Sequence, residues 1–172
     1  EYEITKKASL KNDIARYGNI QLAKKIALNS AYGALGNQYF RYFDIRQAEG
    51  ITLSGQLSIR WIETALNKYF NKLLETDGAN YVIASDTDSV YLNLSKLVDK
   101  VYGERVRLPQ DEGGVSKERI VKFLDRVANE KLEPFIDKSY QNLSDYMNAY
   151  EQKMFMKREV IADRGIWTAK KR

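Results

Sequence analysis

Residues 81–94, YVIASDTDSVYLNL, constrain the fold more tightly than any other stretch of the chain. Two strand-like runs, 81–84 and 90–94, flank Asp86-Thr87-Asp88-Ser89, which predicts an antiparallel hairpin with acids at its tip. In extended backbone residues i and i+2 face the same side, so Asp86 and Asp88 are expected to project together and Thr87 away from them. The ordinary reading of such a segment is a turn whose short side chains bond their own backbone. The other is that two repelling carboxylates hold a divalent cation between them. An EF-hand type of calcium loop is excluded, because the Gly and Glu it needs are replaced by Tyr91 and Leu97.

A chain of 172 residues, 44% of them hydrophobic, can bury a core and suits one domain or a domain with an appendage. It contains neither Cys nor His. Disulfides, iron-sulfur clusters, the usual zinc sites and Ser-His or Cys-His catalysis are thereby excluded, which leaves carboxylates, Lys, Arg, Tyr and hydroxyls to do any chemistry. No apolar run approaches the roughly 20 residues that span a bilayer, and the N-terminus lacks the shape of a signal peptide, so a soluble intracellular chain is expected. The net charge of +5 is concentrated at the C-terminal end. There Lys153, Lys157, Arg158, Arg164, Lys170, Lys171 and Arg172 face only Glu159 and Asp163, a cluster suited to solvent or to a phosphate backbone. A first residue other than Met and a last one inside a basic run suggest an excerpt of a longer chain.

In chain order, residues 5–30 have helical spacing without Pro, and the helix is expected to run on into KIALNSAYGALGN at 25–37. Lys25, Asn29 and Tyr32 then share one face, with Gly33 beside them. Such a face is either a solvated stripe ended by Gly33 and Gly36, or a surface for phosphates and a flat base. A second long helix is predicted over 47–75, with the stripe Ile51, Gly55, Ile59, Ile62, Leu66, Tyr69, Leu73 buried and Leu57, Trp61 and Ala65 forming a second buried row. After the hairpin come a short helix at 95–101, a surface excursion at 103–116, and helical spacing over 117–147 in which Pro134 opens a second segment. Residues 153–162 alternate like a strand, with Glu159 a salt-bridge partner or, in the minority reading, a metal ligand, and 166–170 are expected to pair with them. This order predicts an α+β fold with an antiparallel sheet backed by long helices.

Taken together, Lys25-x-x-x-Asn29-Ser30-x-Tyr32-Gly33, the SDTDS segment about fifty residues later, the run MFMKREVIA and the ending GIWTAKKR resemble the family B DNA polymerases, most of all the replicative enzymes of T-even-type bacteriophages. The resemblance implies a palm-type sheet, with residues 1–37 as the C-terminal fingers helix and 38–172 as part of the palm. It implies Lys25 and Asn29 at the incoming deoxynucleoside triphosphate, with Tyr32 and Gly33 lining the nascent base pair. Asp86 would coordinate two catalytic magnesium ions with Asp88 beside them, Glu159 would lie near the metals, and Thr87, Lys170 and Lys171 would contact DNA. The family commonly carries Tyr-Gly ahead of Asp-Thr-Asp where this chain has Ala84-Ser85, a departure that bears on support of the primer end. Implied partners are primer-template DNA, deoxynucleotides and, through segments outside this chain, a sliding clamp and other replisome proteins, in the host-cell cytoplasm with no membrane. The family's other catalytic Asp, its first fingers helix, its exonuclease and its thumb are not in this sequence, so the chain alone is expected to bind metal poorly and to polymerise nothing. Two rival readings are a nucleic-acid-binding module without catalysis and an Asp-x-Asp nucleotide-sugar glycosyltransferase, which would need a parallel α/β unit before its acids.

Overall fold

A computed structural model describes residues 8–106, 108–109 and 113–167. Its elements are α1 (Ala8–Leu35), α2 (Ile45–Leu74), β1 (Val82–Asp86), β2 (Ser89–Leu92), α3 (Ser95–Tyr102), a 3-10 turn (Gly103–Val106), α4 (Lys117–Val127), a π-helical turn (Ala128–Leu132) and α5 (Glu133–Tyr146). Helices with an antiparallel two-stranded sheet make this an α+β fold, as the order of sequence patterns indicates. The chain divides into two units, residues 1–54 and 55–172, and the division falls inside α2.

In the first unit, α1 runs unbroken through Gly18 and Asn19, whose poor helix propensity, about 1 kcal/mol for a Gly, is absorbed by a Pro-free helix of 28 residues. From Lys11 to Gly33 every side chain is exposed. Gly36 and Asn37 end the helix by donating to the carbonyls of Gly33 and Ala34 at 3.2 and 3.0 Å. The connector turns on Asn37, whose side-chain oxygen accepts from the Tyr39 N–H at 3.0 Å, and the Asp44 N–H donates back to Leu35 at 3.1 Å. Asp44 then caps α2: its carboxylate accepts from the Arg46 N–H at 3.0 Å, one of the donors a helix start leaves without an intrahelical partner.

The core belongs to the second unit. Ile62, Leu66 and Phe70 of α2 are wholly buried, and around them pack Tyr81, Val82, Leu97, Leu132, Ile136, Tyr140 and Leu143. Each such side chain contributes about 1.5–3 kcal/mol relative to exposure. The buried row 58, 62, 66, 70 steps by four, so α2 meets its neighbours along one ridge. That corrects the predicted stripe: Ile51, Leu57 and Leu73 are exposed, whereas Phe70 is core. Trp61 lies at the margin, half-buried, with its indole N–H donating to the Ser139 carbonyl at 3.0 Å and its ring stacked on Tyr146.

Helices α4 and α5 join through the π turn, after which Pro134 sits in the first turn of α5, where its missing N–H costs least. Ser116 caps α4 by accepting from Arg119 at 3.3 Å.

The predicted strand at 153–162 does not form: among the described residues the sheet has two strands only. Side chains anchor this segment instead of a ladder. The Gln152 carboxamide bonds both backbone groups of Met154, the Ser58 hydroxyl donates to the Met154 sulfur at 3.2 Å, and Met156 packs on the core. Farther along, the Arg158 N–H donates to Glu133 at 3.3 Å, its guanidinium pairs with Asp125, and Lys117 reaches Asp163 at 2.8 Å. Burial here does not alternate, since only Met156 and Ile161 of residues 153–162 are partly buried, so the alternating polarity of the sequence does not reflect sheet pairing. Residues 166 and 167 are likewise not paired, and 168–170 lie outside the described residues. Trp167 packs edge-on against Tyr91 of β2, with centroids 5.4 Å apart.

Candidate functional site

The hairpin tip is a two-residue turn. Asp86 pairs with Ser89, and Thr87 and Asp88 connect them. Thr87 adopts φ +49, a left-handed conformation that costs a β-branched residue about 1–2 kcal/mol. It is offset by local bonds: the Thr87 hydroxyl donates to the Asp86 carboxylate at 3.0 Å, and the Ser89 hydroxyl to the Asp86 carbonyl at 3.2 Å. Asp86, Thr87 and Asp88 are all exposed. The i, i+2 rule that would put both carboxylates on one side applies to extended backbone, and at Thr87 the backbone is not extended. The tip is therefore the turn of the ordinary reading, with side chains bonding their own segment and with Asp86 and Asp88 both exposed.

What fixes this hairpin was not read from the sequence. The Asn67 side-chain oxygen accepts from the backbone N–H groups of Tyr81 and Val82 at 2.7 and 3.2 Å. One turn on, the Asn71 carboxamide accepts from the Ala79 N–H at 2.9 Å and donates to the Ala79 carbonyl at 2.7 Å. The available signal was two Asn residues four apart on one face of a helix, a residue type that favours caps and turns over helix interiors.

On α1, Lys25, Asn29 and Tyr32 are exposed and their spacing on a regular helix gives them a common face, as predicted. Tyr32 is tethered: its hydroxyl and that of Thr52 lie 2.6 Å apart, and Thr52 in turn donates to the Ala48 carbonyl at 3.0 Å. Thr52 is a second residue that sequence reasoning missed, since a Thr on an exposed helix face has no signature of its own. At Gly33 a Cβ would meet nothing within 4 Å, so the helix surface beside Tyr32 is open. Lys25 lies in the first unit and Asp86 in the second, so the cationic face and the acidic tip are two local structures.

Glu159 is exposed on the extended segment whose Arg158 binds Glu133 and Asp125. Among the described residues no three carboxylates, or other His, Cys, Asp or Glu groups, gather as a metal site. Asp86 and Asp88 thus present two hard oxygen donors, which a cation of that kind would have to complete from elsewhere. Lys170 and Lys171 lie outside the described residues.

An acid-tipped hairpin following two long helices, the first bearing a Lys-Asn-Tyr-Gly face, is matched by one family model. Residues 3–102, more than half of the chain and including both local structures, match DNA polymerase family B, and the chain belongs to that family. Over 160 residues, 88% of its length, it is 41% identical to the DNA-directed DNA polymerase of Escherichia phage RB69 and 42% identical to that of Enterobacteria phage T4. The chain spans 17% of the length of each of these relatives. No helix among the described residues is long and apolar enough to cross a membrane.

Proposed function

We propose that this chain is part of a DNA-directed DNA polymerase that transfers nucleotides from deoxynucleoside triphosphates to a primer 3′-hydroxyl in phage DNA replication. In this reading residues 1–37 belong to the fingers and 38–172 to the palm. The observation that carries it is the hairpin tip, where Asp86 and Asp88 are both exposed, Asp86 bonded by the Thr87 hydroxyl, inside the segment that matches the family.

Magnesium takes oxygen ligands and keeps several waters, so two exposed carboxylates fit it in part, with the remaining positions left to water, phosphate oxygens or groups of the parent enzyme. When bound there, such ions lower the pKa of an attacking hydroxyl and offset charge on the phosphoryl group. Asp86 and Asp88 would hold them, with Glu159 near. Lys25 would neutralise triphosphate oxygens as a point charge and supply a proton to the departing pyrophosphate. Asn29 would donate to the nucleotide. Tyr32, its hydroxyl held by Thr52, would lie against the nascent base pair, while Gly33 leaves room for close approach. Thr87, Lys170 and Lys171 would contact DNA, and a sliding clamp and replisome proteins would bind other parts of the enzyme in the host-cell cytoplasm. A glycosyltransferase would need parallel strands before its acids, and the described residues ahead of β1 are two helices.

The test is Asp86→Asn in the full-length polymerase, with primer extension as the readout. Extension is expected to be lost. Near-normal extension would overturn the reading.

A further inference from the structure

The ladder between β1 and β2 is irregular next to its anchored end. Val82 pairs with Leu92 and Ala84 with Tyr91, so the register shifts between Val82 and Ala84 and Ile83 is left over. One extra residue in one strand re-aims the side chains beyond it, and placing it one residue earlier or later turns the side chains between to the other face. Asp86 is such a side chain, four residues beyond Val82 on the same strand.

The two residues before the irregularity are held from α2. Asn67 accepts from both Tyr81 and Val82, at 2.7 and 3.2 Å, and only Val82 gains a second acceptor, the Asn80 side chain at 3.2 Å. Asn67 is itself a fixed reference, because the preceding Leu66 is wholly buried in the core. A carboxamide with one oxygen on two successive N–H groups fits one register and not its neighbour.

We propose that Asn67 is a positioning residue: by fixing where β1 enters the ladder, it sets the face on which Asp86 presents its carboxylate to a divalent cation. The proposal rests on the polymerase reading of the hairpin. Groups bonded directly to a metal ligand are commonly worth a factor of ten or more in metal affinity, and Asn67, acting through the strand that carries Asp86, is expected to approach the lower end of that range. Asn71 is the comparison, since it binds Ala79 and Thr76, ahead of the strand. It supports the same loop without touching β1.

The experiment is Mn2+ binding by electron paramagnetic resonance to the full-length polymerase on primer-template, without turnover, at a temperature where each variant is folded. Asn67→Ala is expected to weaken Mn2+ about tenfold, Asn67→Asp, which keeps the acceptor oxygen, to restore affinity to within about twofold, and Asn71→Ala to lower the melting temperature while leaving Mn2+ affinity unchanged. If Asn67→Ala does not fold, Asn67→Thr, with a hydroxyl too short to serve both amides, carries the same expectation. Wild-type affinity in Asn67→Ala or its substitute, no recovery in Asn67→Asp, or an equal loss in Asn71→Ala would each overturn the positioning role. Asp86→Asn separates the two levels. If it leaves Mn2+ affinity intact, the polymerase reading of the hairpin fails; if it weakens Mn2+ and Asn67→Ala does not, only the positioning role fails.

Discussion

The Lys117 ammonium lies 2.8 Å from the Asp163 carboxylate, tying the first turn of α4 to the extended C-terminal segment. The hydrogen bond from Lys117, with its positive charge, holds the Asp163 carboxyl below its ordinary value of 3.8. A depressed carboxylate contributes stability that is present above the unfolded pKa and is lost as pH falls through the folded one. The tether is therefore expected to persist through neutral and mildly acidic pH and to release only below about 3.9. A carboxyl-carbon NMR titration should show Asp163 with a lowered midpoint that returns to the ordinary range in Lys117→Ala. Both groups are exposed, so global stability should barely move.

Phe70 is expected to dominate the stability of the second unit. Its ring is wholly buried and lies 5.4 Å from Tyr69 and 5.5 Å from Tyr81, centroid to centroid. Phe70→Ala would leave a cavity that such a packed site cannot close, at a cost of about 3–5 kcal/mol. Leu73→Ala, three residues on and exposed, should cost within about 0.5 kcal/mol. Urea unfolding of the two variants measures the contrast directly.

This contrast also marks what the sequence could tell. Helical spacing found α2, and the turn residues Asp77 and Gly78 marked its end, but both apolar rows were expected to be buried, whereas the partners cover one ridge and leave Ile51, Leu57 and Leu73 exposed. Phe70 was passed over because it stands off the 62, 66, 69, 73 progression, while the structure packs along 62, 66, 70. The hairpin at 81–94 was legible in type and place because acids and a hydroxyl between β-branched and aromatic runs have few alternatives. Its tip geometry was not, since Thr at positive φ runs against every propensity. The strand assigned to 153–162 failed for a related reason. Alternation suggests one covered side, and here there is none: the segment is fixed by separate side-chain contacts of Met154, Met156 and Arg158. The motif stood out as a pattern, whereas Asn67, which holds Tyr81 and Val82, was signalled only by its pairing with Asn71 four residues on, and Thr52, which holds Tyr32, carries no pattern that sets it apart from an ordinary polar helix residue.

Tyr32 and Thr52 separate holding from contact in the proposed nucleotide site. Tyr32→Phe removes the 2.6 Å hydroxyl contact yet keeps the ring, so on an exposed face stability should change by less than about 0.5 kcal/mol. A ring free to rotate is expected to discriminate less well against mispaired ends, and Thr52→Val should reproduce the effect without touching Tyr32. Lys25→Ala should behave differently, raising the KM for nucleotide and slowing the chemical step, because it removes charge and not shape. Single-nucleotide insertion kinetics with matched and mismatched nucleotides on the full-length enzyme distinguish the three. Equal fidelity in Tyr32→Phe and wild type would show that the Thr52 bond is incidental.

Gly165 leaves the room in which the Trp167 ring packs against Tyr91 of the hairpin. A Cβ there would stand 2.9 Å from the Trp167 ring, closer than carbon atoms approach, so the indole must move if Gly165 becomes Ala. Trp167 has an alternative position in solvent, being already 53% exposed, and its edge-on contact with Tyr91 is what it gives up. Such aromatic pairs are worth about 0.5–1.5 kcal/mol beyond area, enough to shift the Trp167 ring from mostly packed on Tyr91 to substantially exposed while the rest of the segment stays anchored. Gly165→Ala should therefore red-shift the Trp167 emission, read in a Trp61→Phe background, while the core, marked by Phe70 and Tyr81, keeps its unfolding midpoint. Tyr91→Ala should produce the same shift by removing the other ring. A Gly165→Ala spectrum that matches the parent would mean that Trp167 rests on Tyr91 without depending on the glycine.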